Sequence, residues 1–144
     1  MTLDRQFIFK SKFHVEFYYC GFSCDPDVIS AMLGLTPTKS WCKGDVGPAP
    51  AMKRRSSAWE IKSRLPVTHK VTEQIDDVVA QLAGVEEQLK ALDFGGEFRM
   101  LVALYIVGDE RPPFYVSKRA IKFMANLDAD LDIDLYRIPD DDDG

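Results

Sequence analysis

Hydrophobic and polar residues alternate first along "FHVEFYYCGF", residues 13 to 22. Val15, Phe17 and Tyr19 fall on one side and His14, Glu16 and Tyr18 on the other, the two-residue period of a strand with one apolar face. A helix follows. Asp25 is placed to cap free backbone N–H groups, Pro26 suits the first helical position, and Asp27 favours the positive end of the dipole. Its expected apolar face is Val28, Ile29, Met32 and Leu33, and Gly34 ends it. Between Thr68 and Leu92 the apolar positions are Val71, Ile75, Val78, Leu82, Val85, Leu89 and Leu92. They step by four and three residues in turn, which predicts one long helical stripe that bends or splits at Gly84. "FRMLVALYIVG", residues 98 to 108, is apolar at both alternations and predicts a central strand covered on both faces. "FYV" at 114–116 reads as a short strand. Ser117 caps a further helix with Ala120, Ile121, Met124 and Leu127 on its apolar face. "DLDIDLYRI" closes the pattern, with Leu131, Ile133 and Leu135 expected inward and Asp132, Asp134 and Tyr136 outward.

One stretch has no period. "TPTKSWCKGDVGPAPAMKRRSSAWEI", residues 36 to 61, holds Gly44, Gly47, Pro48 and Pro50, which deny it regular structure. Trp59 and Ile61 alternate with Glu60 and Lys62 at its end, a second strand. The resulting order is β-α-loop-β-α-β-α-β. It predicts an α+β domain, a ferredoxin-like variant whose four- or five-stranded, mostly antiparallel sheet carries helices mainly on one face. Residues 1–144 form a single domain on this reading, with a flexible acidic tail over 139–144.

Composition narrows the function. With 46% apolar residues the chain can build a core without disulfides. It contains no apolar run of the ~18 residues that a spanning helix needs. Its start lacks the apolar segment of a secretory signal, so a cytoplasmic location is expected. Cys20, Cys24 and Cys42 are odd in number and lack a second close pair, so neither a disulfide framework nor a zinc site with His14 is expected. Asp128, Asp130, Asp132 and Asp134 recur evenly on a strand, whereas a calcium loop needs a glycine turn and a bidentate acid at fixed offsets. His14 and His69 have no sequence neighbour that would make a dyad. Nucleophile-elbow, phosphate-loop and dinucleotide signatures are absent. No catalytic residue, metal or cofactor is therefore assigned.

Charge singles out the aperiodic stretch. The chain carries −5 overall, yet residues 39–64 hold Lys39, Lys43, Lys53, Arg54, Arg55, Lys62 and Arg64 against Asp45 and Glu60, a local +5. The fold could use such a segment to balance its own acidic body, or present it to an anionic partner. A pI near 5.0 argues against nucleic acid despite the two tryptophans. Trp41 is expected to cover an edge of the core, and Lys43-Gly44-Asp45 to form a tight turn. Packing leaves Lys53, Arg54 and Arg55 unexplained. The candidate ligand or partner residues are Trp41, Lys43, Lys53, Arg54, Arg55 and Trp59.

Three blocks carry a family resemblance: "DPDVISAMLGLTPTKSWCKGD", "SSAWEIKS" and "LDIDLY". They combine an acidic-Pro helix start, a Leu-Gly-Leu-x-Pro-Thr turn, a Trp-x-Lys-Gly-acidic loop, a tryptophan strand start and a closing Asp-Leu-Tyr strand. In this respect the chain resembles the bacterial family catalogued as domain of unknown function 4279. Ala58 stands where a glycine often precedes the tryptophan. The resemblance implies a small α+β domain and assigns no activity. The expected function is a non-catalytic binding module, in its finer form an immunity-like inhibitor of a partner protein, working as a monomer or homodimer. The competing reading is a small-ligand or anion sensor with a pocket under the Trp41–Trp59 loop.

Overall fold

The computed structural model describes residues 9–49 and 52–141. Its elements are β1 (Lys12–Cys20), α1 (Pro26–Leu33), β2 (Lys39–Trp41), β3 (Ala58–Lys62), α2 (Val71–Leu82), α3 (Glu86–Lys90), β4 (Glu97–Val107), α4 (Lys118–Asn126) and β5 (Asp130–Ile138). The five strands form one sheet in the order β2-β3-β1-β4-β5. Pairing is antiparallel except between β4 and β5. Two β-α-β units interleave: β3 lies between β1 and β2, and β1 lies between β3 and β4. That is the ferredoxin-like arrangement, to which α4 adds β5 as a parallel edge.

The signals read in the sequence for α1 and for the start of α4 are in place. The Asp25 carboxylate accepts the Asp27 N–H at 2.8 Å, with Pro26 opening α1. Gly34 closes it with φ 66°, a left-handed conformation that a side chain would strain. The Ser117 hydroxyl caps α4 by accepting the Ala120 N–H at 3.1 Å. The long stripe divides as expected, with a 3-10 turn over Ala83–Val85 separating α2 from α3 around Gly84. Buried residues of all four helices join Phe13, Val15, Phe17, Tyr19, Trp59, Ile61, Met100 and Val102 in one cluster. The helices thus cover a single face of the sheet.

Several positions depart from the pattern. Val28 and Met32 on α1 are exposed, because only Ile29 and Leu33 reach the sheet. On α4 Phe123 takes the place expected of Ile121, which is exposed. Phe114–Val116 forms no strand. The fifth strand is instead β2, three residues inside the aperiodic stretch. Among the described residues β4 is covered by helices on one face only. Leu101, Tyr105 and Val107 lie on its other face and are half-buried, shielded sideways by the strands beside them. Leu131, Ile133 and Leu135 do face the helix side, in register with Met100, Val102 and Leu104. They nevertheless stay exposed, because β5 is the outermost strand. The acidic tail read over 139–144 lies in part outside the described residues. Within them Asp140 pairs with Lys10 at 3.3 Å.

Candidate functional site: the open face of the sheet

Side chains alternate across a strand, so the register decides which residues share the uncovered face. β1 contributes His14, Glu16, Tyr18 and Cys20. Glu60 and Lys62 of β3 lie opposite Tyr18 and Glu16. On the other flank β4 places Arg99, Leu101, Ala103 and Tyr105 beside the same four residues or their neighbours. β5 adds Asp130, Asp132, Asp134 and Tyr136. Aromatic rings run across the lower part: His14 meets Tyr105 edge-on at 5.6 Å, and Tyr105 stacks on Tyr136 at 4.9 Å.

At the opposite corner stands Trp41. It pairs with Ala58 on β3, whose small side chain leaves room for the indole on this face. The ring is half-buried, and its N–H donates to the Ser56 carbonyl at 3.0 Å. Arg54 lies over it, with the guanidinium carbon 3.8 Å from the ring centroid, a cation–π contact. The loop that makes this possible is a small hairpin. The Asp45 carboxylate accepts the Cys42 N–H at 2.8 Å, and Gly44 turns the chain with φ 92°. Gly44 N–H donates to the Arg54 carbonyl at 2.8 Å, and Arg54 N–H to the Asp45 carbonyl at 2.7 Å. The Lys43-Gly44-Asp45 turn expected from sequence is present.

Between Trp41 and β5 the face dips into a cleft of about 290 Å³, lined among others by Tyr18, Ser56, Arg99, Leu101 and Asp132. Beside it lie two neighbouring acids, Glu16 and Glu60. The Tyr18 hydroxyl donates to the Glu16 carboxylate, which also pairs with Lys62 at 3.5 Å. Glu60 is only 3% exposed. Burial first, then the Glu16 charge, raises its carboxyl above the ordinary 4.5, while Tyr18, Lys39 and Lys62 oppose the rise. Burial and the bond to Glu16 push the Tyr18 phenol up. Burial likewise raises the Cys20 thiol. His14 is held below 6.5 by burial and by Lys62, against the pull of Glu16.

The six residues singled out in the sequence part company here. Ser40 pairs with Trp59 while Trp41 pairs with Ala58, so the two tryptophans point to opposite faces. Trp59 is fully buried under α1 and donates its indole N–H to the Ser30 hydroxyl at 2.9 Å. With the sheet between them, the two rings line no common pocket among the described residues. Trp41 does not cover the core edge as expected; it belongs to the open face. Arg54 joins it, whereas Lys43, Lys53 and Arg55 are exposed on the hairpin. Tyr18 and Arg99 do not stand out in the sequence, and Asp132 stands out only as one of an even row of carboxylates. Their signal was the polar half of each strand's alternation, which becomes a site only once the strand order is known. Among the described residues no group of three His, Cys, Asp or Glu side chains could hold a metal.

A profile of the family described as Domain of unknown function (DUF4279) matches residues 11–137. The chain belongs to this family. No curated protein and no solved structure matches it. The DUF4279 match opens next to β1 and ends within β5, so it spans the whole sheet, the open face and the Trp41 hairpin.

Proposed function

We propose that this DUF4279 domain is a non-catalytic binding module of the immunity kind, which holds a partner protein against the open face of its sheet. The observation that carries this reading is the face itself. No helix among the described residues covers it, and it presents Trp41, Tyr18, Tyr105 and Tyr136 among acids. Tyrosine and tryptophan supply large contact area at small entropic cost and dominate binding hot spots. The titratable groups support a non-catalytic role. Tyr18 is tied to Glu16, and its phenol and the Cys20 thiol are pushed away from the ionised forms that a base or nucleophile needs. A second reading, a sensor of small anions, is favoured by the cleft, where Arg99 stands exposed near Trp41.

Co-expression with the product of the adjacent gene, followed by co-purification, tests the proposal. Wild-type protein and an Arg55→Ser variant, changed at an exposed hairpin position off the open face, are expected to carry the partner. A Tyr105→Ser/Tyr136→Ser variant with an intact melt is expected to weaken capture about 30-fold or more, since even one hot-spot truncation costs roughly 2 kcal/mol. Equal capture by the tyrosine variant, with loss by the arginine variant, moves the contact to the hairpin and overturns the open-face reading.

A further inference from the structure

β5 ends the sheet and, among the described residues, its outer edge is unpaired. It runs nine residues without proline or glycine, and its register with β4 is unbroken from Asp130 to Ile138. Sheet edges in proteins are normally shortened, bulged or covered, because a row of free backbone groups is a template for another strand. This one is neither short nor bulged, and nothing among the described residues covers it. Over residues 130–135, before Tyr136 and Arg137, its two side-chain rows are also sorted by chemistry. On the helix side Leu131, Ile133 and Leu135 are 40%, 46% and 62% exposed, far more than their in-register neighbours Met100 and Val102. On the open side stand Asp130, Asp132 and Asp134, none of which forms an ion pair among the described residues. Arg99 is the cation facing that row from β4.

We propose that the β5 edge accepts an added strand from the partner, an extended segment whose residues alternate apolar and basic. Backbone hydrogen bonds to the free edge supply affinity, and the two sorted rows select the sequence. The incoming apolar residues lie beside Leu131, Ile133 and Leu135, and the basic ones beside the aspartates. A second copy of this chain is the less suitable occupant. Antiparallel two-fold pairing of β5 with itself keeps the open faces continuous and sets aspartate opposite aspartate, which destabilises a strand pair. The aspartates thus act against self-pairing and in favour of a cationic strand. This inference rests on the binding-module reading and specifies the shape and charge of what is bound.

The test uses the full chain and a capped, fluorescent peptide alternating valine and lysine. Its controls are a peptide of the same composition with valines and lysines in separate blocks, and an alternating valine–glutamate peptide. Anisotropy is expected to show binding of the first alone, weakening as salt rises. Amide exchange over 130–138 slows when it binds. Asp130→Asn/Asp132→Asn/Asp134→Asn is expected to weaken it by about tenfold, the loss of three partly screened pairs. Should that variant melt early, the valine–glutamate peptide on wild type reads the charge requirement instead. Equal binding of the block peptide reduces the effect to net charge and overturns the proposal, as does unchanged exchange in β5. A mass that doubles with concentration, with β5 protected and no peptide present, makes a second copy the occupant and also overturns it. A partner lost with Tyr105 and Tyr136 while β5 exchange stays unaltered leaves the binding module standing and removes strand addition alone.

Discussion

Glu60 shows how a single residue can be both folded in and held ready. It sits on the middle of three consecutive strands, between Lys39 and Tyr18 in the register, and is almost fully buried. Its carboxyl is raised by burial and by Glu16, so the folded state binds that proton more tightly than the unfolded chain does. The sign of the pH dependence follows. A group whose folded value lies above its unfolded one binds more protons in the folded state, so stability rises as pH falls through that value. Glu60→Gln removes the ionisation and keeps the shape. The variant is expected to melt higher than wild type at neutral pH, with the gap closing as pH approaches the ordinary value of 4.5. Thermal melts of both proteins across that range check it, and a gap that widens in acid contradicts it. None of this was legible in the sequence, where Glu60 is one polar position in a short strand. The tryptophans tell the same story in reverse. Both were visible as unusual, yet only pairing Trp41 with Ala58 and Ser40 with Trp59 reveals that one faces the open side and the other the core. A residue's neighbours within its strand give its side; strands far away in sequence give its depth.

At the scale of elements, what could be read was what local chemistry determines. The cap at Asp25, the stop at Gly34 and the break around Gly84 depend on a few adjacent residues, and all three stand where the pattern puts them. β2 escaped because three residues are too few to show a period, and its strand form is imposed by pairing with β3. The depth of β4 and β5 escaped because coverage depends on where the helices settle. Ser117 illustrates an element joined to another by one side chain. Its hydroxyl accepts the Ala120 N–H at 3.1 Å and donates to the Asp76 carboxylate at 2.6 Å, so the cap of α4 also ties it to α2. Ser117→Ala is expected to cost about 1–2 kcal/mol in urea unfolding. Ser117→Asp, which keeps a cap but faces Asp76 with a like charge, should recover only part of that loss. Full recovery would mean that the bond to Asp76 contributes nothing.

Across the whole molecule, charge and layering point the same way. No helix among the described residues is long and apolar enough to cross a membrane. One sheet carries its helices on a single face, and the basic hairpin and the acidic strand lie at its two ends, beyond β3 and β4. Between them the open face offers aromatic rings, a cleft and the neighbouring acids Glu16 and Glu60. Sequence patterning made the existence of a half-covered antiparallel sheet readable, because β1 and β5 alternate cleanly. It did not show that the hairpin contributes Trp41 and Arg54 to the same face as Asp132. The central claim, that a partner is held on this face, is tested most directly by hydroxyl-radical footprinting of the chain alone and in complex with its co-purified partner. Oxidation of Trp41, Tyr105 and Tyr136 is expected to fall on binding, while Met32 and Ile121, exposed on the helix side, keep their rates. Protection of Met32 and Ile121 with the three aromatic residues unchanged would place the partner on the helices and contradict the account.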